Sequence, residues 1–188
     1  MGTTEILPDY DIIDGCIRGE RKYQKALYDK FSGKMFAVCL RYSADANKAE
    51  DMMQDGFIKV FRNIEKFRRE GSFEGWIRRI FVNSCIENLR KKTTLYAIQE
   101  TTIASVEYNE TNAFENLKAD DLLKMISELA TGYRTVFNLY AIEGYSHKEI
   151  GEMLNISEGT SKSQLARARY LLQQKLAETS KTLLSVAK

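Results

Sequence analysis

Residues 145–176, YSHKEIGEMLNISEGTSKSQLARARYLLQQKL, leave the chain little conformational freedom. Ser146 followed three residues later by Glu149 is a capping box: the serine hydroxyl accepts from the Glu149 amide while the glutamate reaches back to the Ser146 amide. A helix therefore starts here, with Ile150 and Leu154 on its apolar side and Gly151 permitting close approach of a neighbour. Asn155-Ile156 leaves that helix, Ile156 acting as a buried hinge, before Ser157 caps a second one. In the second helix Leu165, Leu172 and Leu176 recur at intervals of seven and four and share the core-facing stripe, whereas Thr160, Lys162, Ser163 and Arg167 fall on other faces. Two short helices joined by a tight turn, the second opening on a polar and basic face, make a helix-turn-helix, and such a face suits a DNA major groove. An ordinary helical hairpin with a solvated face has the same spacing, so this segment alone leaves both readings open.

The flanking sequence also reads as helix. At 188 residues, 44% hydrophobic and with a single proline, the chain suits one large or two small folded domains. Apolar residues at Ile12, Ile13, Cys16 and Ile17 predict a first helix over 11–19, after a frayed arm. Leu27, Phe31, Met35, Val38 and Cys39 predict a second over 21–42, with a bend at Gly33. Asp45 or Asn47 then caps a helix over 49–66, whose stripe is Met53, Phe57, Val60, Phe61 and Ile64. Gly56 within it costs roughly 1 kcal/mol relative to alanine, and close packing on another helix is the usual reason. Residues 68–75 contain two glycines and form a polar loop carrying Phe73, after which 76–92 resumes helical spacing with Ile77, Ile80, Phe81, Ser84, Cys85 and Leu89 inward. Further on, 117–129 and 133–143 are helical, separated by a stop at Thr131-Gly132. The expected fold class is all-α: an N-terminal helical bundle over 1–92, a flexible acidic linker over 93–116, and a C-terminal four-helix domain over 117–188 that contains the helix-turn-helix.

Charge separates these blocks. Residues 1–92 carry 18 Lys and Arg against 14 Asp and Glu, 93–117 carry none against 4, and 118–188 carry 10 against 8. The excess is strongest over 62–92, with 9 basic against 4 acidic residues beside Phe67, Phe73, Trp76 and Phe81. Basic residues among aromatics suit single-stranded nucleic acid, where bases stack and phosphates pair; a solvated face over core aromatics suits the pattern as well. On the helix over 49–66, Glu50, Asp51, Gln54 and Asp55 form an acidic ridge, with Lys59 partly offsetting Asp55. That ridge reads either as solvated charge near a helix N-terminus or as a docking surface for a basic partner.

Enzymatic chemistry finds no support. His147 is the one histidine, no HExxH, zinc-spaced Cys/His cluster, Gly-x-Ser-x-Gly or P-loop occurs, and the carboxylate pairs Asp120-Asp121 and Glu50-Asp51 sit in first turns of helices. No catalytic residue, metal or cofactor is expected. Cys16, Cys39 and Cys85 are odd in number and widely spaced, which predicts buried reduced thiols. The chain starts acidic and polar, and its longest apolar run, 35–40, is too short to span a bilayer, so a cytoplasmic protein without membrane insertion is expected.

Taken in order, three segments resemble parts of the extracytoplasmic-function (ECF) sigma factors of bacterial RNA polymerase. AEDMMQDGFIKVF is similar to the family's polymerase-docking helix, FRREGSFEGWIRRIFVNSCIENLRK to its promoter-melting segment, and YSHKEIGEMLNISEGTSKSQLARAR to its upstream-element reader. The resemblance implies a promoter-specificity subunit that binds the β′ and β subunits of core RNA polymerase and promoter DNA, both duplex and single-stranded. Asp51, Gln54 and Asp55 would meet the β′ clamp helices. The loop with Arg68, Arg69, Ser72 and Phe73 would take a base flipped from the minus-ten element, flanked by Trp76, Arg79 and Asn83. Thr160, Lys162, Ser163 and Arg167 would face the minus-35 element, and the linker would thread the polymerase cleft. Family habit adds an anti-sigma factor as partner and a monomer when free. Ser161, where the family has an apolar residue, and Gln164, where it often has arginine, depart from the pattern. The competing reading is a stand-alone helix-turn-helix regulator with an N-terminal sensing or interaction bundle, binding a palindrome as a dimer.

Overall fold

The computed structural model describes residues 8–92 and 119–186, so the expectations for the first seven residues and for the acidic linker over 93–116 lie outside the described residues. Among the described residues all regular structure is helical, and the chain divides into two compact units, Met1–Asn88 and Leu89–Lys188.

The first unit is built from α1 (Asp9–Ile17), α2 (Arg21–Ser43), α3 (Ala46–Asn63), a single 3₁₀ turn (Ile64–Lys66) and α4 (Phe73–Lys92). α1 begins two residues earlier than its apolar spacing suggests, because Pro8 enters it at φ −58° and Asp9 and Asp11 put negative charge in its first turn. It ends where Gly19, at φ 75°, donates to the Cys16 carbonyl at 3.0 Å and Glu20 to the Gly15 carbonyl at 2.9 Å, a Schellman arrangement. Gly15 has a second role, since a Cβ there would lie 2.1 Å from the Tyr23 ring where α1 packs on α2. α2 runs through Gly33 without interruption. Of the two candidate caps for α3 the structure uses Asp45, whose carboxylate accepts from the Lys48 amide at 2.8 Å.

Met52, not Met53, joins Phe57 and Val60 in the core, while Met53 and Phe61 are half-buried at its edge. Gly56 is explained by contact: a Cβ there would stand 2.5 Å from the ring of Phe81, which is fully buried in α4 and edge-on to Phe57 at 5.0 Å. Lys59 does not pair with Asp55 but with Glu87 of α4 at 2.6 Å, and Asp55 accepts instead from the Asn88 amide at 3.1 Å. α4 starts at Phe73, three residues before the expected position, because the Ser72 hydroxyl accepts from the Gly75 amide and opens the helix there. Cys16, Cys39 and Cys85 are all free and buried. Burial pushes the Cys16 thiol up to about 11. The Cys85 thiol is raised by its hydrogen bond with Cys39, at 3.8 Å between sulfurs, and by burial, so these thiols are poor nucleophiles.

The second unit contains α5 (Ala119–Ser127), α6 (Thr131–Phe137) continuing into a π turn (Asn138–Ile142), α7 (His147–Leu154) and α8 (Glu158–Val186). Thr131-Gly132 opens α6 and does not close α5, whose end lies at Ser127. The buried Arg134 guanidinium donates to the carbonyls of Ser127 at 3.0 Å and Leu129 at 2.8 Å, satisfying groups that the end of α5 leaves open. Met125, Ile126 and Leu129 pack on Ala168, Leu172 and Leu176 of α8. No helix among the described residues is long and apolar enough to cross a membrane.

Candidate nucleic-acid interface

α7 and α8 form the helix-turn-helix, and both of its ends are fixed by side chains. The Ser146–Glu149 capping box is complete: the Glu149 amide donates to Ser146 Oγ at 3.3 Å, and the Ser146 amide to Glu149 Oε2 at 2.8 Å. Asn155 leaves α7 at φ 56°. The turn crosses so close to Gly151 that a Cβ there would meet the Ile156 carbonyl oxygen at 2.8 Å, whereas the Ile156 side chain itself is only half-buried. Ser157 then caps α8, accepting from the Thr160 amide at 3.0 Å.

On the first turns of α8, Lys162 and Ser163 are exposed and Thr160 and Arg167 half-exposed, so all four residues picked from sequence are accessible, with Thr160, Ser163 and Arg167 on one side of the helix and Lys162 on another. Lys162 pairs with Glu158 at 2.7 Å, a mutually exposed pair of small worth that a phosphate can replace. Arg167 lies 5.2 Å from the Tyr170 ring centroid. The two departures from the sequence pattern point inward. Ser161 is fully buried and bonded to His147 Nδ1 at 2.9 Å, and Gln164 is buried with no partner for its Oε1. His147, half-buried, is therefore a joint between α7 and α8, stacked on Tyr140 at 4.5 Å. Burial and the nearby charge of Lys162 hold it below its usual value.

The first unit carries an open groove of about 550 Å³ between α3 and α4. Trp76 and Asn83 line it, as expected from sequence, opposite Lys59, Arg62 and Lys66. Arg62 and Lys66 belong to the basic stretch over 62–92 noted in the sequence but were not singled out within it, and Lys59 lies outside it, although spacings of three and four put the three on one face. Ser84 lies at the base of the same groove at 0% exposure, and its buried hydroxyl makes no hydrogen bond. Arg79 is exposed elsewhere on α4, and Arg68 and Ser72 are exposed in the loop. Phe73 is 4% exposed, packed against Phe31, Phe67 and Trp76 with ring centroids 5.1–6.0 Å apart. Its ring backs the groove wall in this conformation. Arg69 is ion-paired with Asp14 of α1.

A third surface lies on α3. Asp51, Gln54 and Asp55 are exposed on it. Gln54 borders an open groove of about 460 Å³ whose apolar lining is Tyr28, Phe36 and Met53. Tyr28, at 42% exposure, is a large hydrophobic left in solvent. Acidic residues beside an accessible apolar trough suit a helical partner with a basic edge.

The Sigma-70 region 2 family model matches residues 27–94, and the Sigma-70 region 4 model matches residues 119–172. The ECF RNA polymerase sigma factor SigW of Bacillus subtilis is 30% identical over 174 residues, covering 86% of this chain and 92% of that one. The ECF RNA polymerase sigma-E factor of Haemophilus influenzae is 27% identical, covering 92% and 97%. A solved structure of the sigma factor RpoE in complex with the anti-sigma factor NepR from Bartonella quintana is 24% identical over 82% of this chain and 96% of that one, with a TM-score of 0.49. Because the region 2 match covers most of the first unit, a free-standing regulator with an unrelated sensing bundle is not favoured.

Proposed function

The chain belongs to the ECF family of RNA polymerase sigma factors, and from that premise we propose how its own residues divide the work of transcription initiation. Asp51, Gln54 and Asp55, with the apolar trough beside them, dock on the β′ clamp helices of core polymerase, and the β subunit completes the contact. The groove between α3 and α4 holds the unpaired minus-ten strand. In it Trp76 offers a stacking face, Asn83 a hydrogen-bonding edge, and Lys59, Arg62 and Lys66 the charge that follows phosphates. Arg68, Ser72 and Arg79 flank the path of the strand. Extruding a base costs a few kcal/mol in lost stacking and pairing, and a preformed groove with cations on one wall offsets part of that cost. Thr160, Lys162, Ser163 and Arg167 meet the minus-35 duplex, with Arg167 reading a base edge and Lys162 a phosphate.

In this scheme residues 1–92, 93–116 and 117–188 are the melting domain, the linker and the upstream reader. The protein acts in the cytoplasm as a monomer when free, catalyses no reaction itself, and is held inactive by an anti-sigma factor covering the α3 trough. The observation that carries the reading is the groove that sets Trp76 and Asn83 against Lys59, Arg62 and Lys66. The test is transcription by purified core polymerase on fragments of the source genome, with and without the chain. New specific starts that depend on the chain are expected. Tight duplex binding by the chain alone, with nothing gained by core polymerase, overturns the reading.

A further inference from the structure

Three non-glycine residues among those described have positive φ: Ala44 at 55°, Asn155 at 56° and Arg69 at 60°. The first two end helices, where the left-handed conformation closes the last turn. Arg69 ends nothing. It lies in the loop over 67–72, and an L residue with a long side chain avoids this conformation unless its surroundings impose it.

The surroundings here are two residues of α1. The Arg69 guanidinium is ion-paired with the Asp14 carboxylate and lies 5.8 Å from the centroid of the Tyr10 ring. Both ends of the loop are fixed independently, by Phe67 packed 5.1 Å from Phe73 and by the Ser72 cap of α4. Arg69 is thus the remaining pin in the middle, and its charge is directed to α1. We infer that Asp14, Tyr10 and Arg69 form a latch through which α1 holds the minus-ten loop in its working conformation, so that Arg69 is a positioning residue and not a phosphate contact. Asp14 and Arg69 are each more than two-fifths exposed, so the latch adds little to global stability and acts by selecting one loop conformation. This inference rests on the loop belonging to the minus-ten surface.

The experiment uses holoenzyme, the full chain with core polymerase, and fork-junction DNA whose unpaired strand has been selected from a random pool by the native holoenzyme. Asp14→Asn and Arg69→Ala are each expected to weaken binding about fivefold, since affinity scales with the fraction of loop in the competent state. The double variant should be no weaker than either single one, the salt dependence should be unchanged, and the swapped pair Asp14→Arg with Arg69→Asp should recover most of the loss. If Asp14→Asn binds as well as the native chain while Arg69→Ala lowers the salt slope by about 0.7, Arg69 contacts a phosphate and the latch is refuted. Backbone chemical shifts of the free chain give a reading without DNA: resonances of 69–71 should move toward unstructured values in Asp14→Asn, and unmoved resonances also refute the latch. A native holoenzyme that fails to bind any fork DNA sinks the minus-ten assignment, while the shift measurement still decides whether the latch exists.

Discussion

The two units hold their proposed nucleic-acid surfaces in place by different means. In the first, the groove wall is the outside of an aromatic interior, with Phe31, Phe57, Phe67, Phe73 and Phe81 all buried and in ring contact. In the second, the buried core is aliphatic, with Tyr133 and Phe137 only partly buried against it, and the recognition helix is oriented by hydrogen bonds at helix ends: the capping box, the Ser157 cap, and His147 with Ser161. Interlocked rings resist deformation in every direction, whereas caps fix the angle at which a short helix starts. A surface that must keep an extruded base out of the stack needs the first kind of support. One that inserts a helix end into an existing groove needs the second.

The largest expected effect tests that contrast at its centre. Phe81→Ala should cost about 3–5 kcal/mol in the first unit, seen as a lower urea midpoint in the fluorescence of Trp76, the one tryptophan of the chain. The far-ultraviolet signal of the second unit should survive that transition, and loss of both together would break the comparison. Gly151→Ala should act the other way round, costing about 1–3 kcal/mol in the second unit by forcing the turn off α7, with the Trp76 transition left where it was.

The third prediction concerns pH. His147 titrates near 6.5 when unfolded and lower when folded, so between the two values the unfolded chain binds more protons and stability rises with pH. Acidification from pH 7 should therefore weaken the second unit through about 6.5 and down to the folded value, and stop weakening it below. His147→Phe, which keeps a ring on Tyr140, should flatten the profile. Because His147 is the sole histidine, its imidazole resonance reports the folded value directly. The smallest effect sharpens the distinction between fold and function: Lys162→Ala should change stability by less than about 0.5 kcal/mol, yet reduce the salt slope of holoenzyme binding to upstream duplex by about 1.

Features that depend on three or four neighbouring residues were legible in the sequence. The capping box, the Ser157 cap and the close approach at Gly56 all follow from local spacing or from the cost of glycine in a helix. What escaped was set across helices. Met52 and Met53 are adjacent, and only the position of α2 and α4 decides which turns inward. Spacing offered Lys59 to Asp55 one turn away, but Glu87 on α4 takes it. The bond of His147 to Ser161, fourteen residues distant, leaves no mark in local spacing. The basic excess over 62–92 contains Arg62 and Lys66, but nothing in that stretch says that they and Lys59 lie opposite Trp76 and Asn83.

Ser84 has a consequence for how this protein would drift. Its hydroxyl, fully buried and without a partner, costs the free chain about 1–3 kcal/mol relative to a group that needs none. Selection for thermal tolerance alone would thus favour alanine there, and a screen by melting temperature would rank that variant above the native chain.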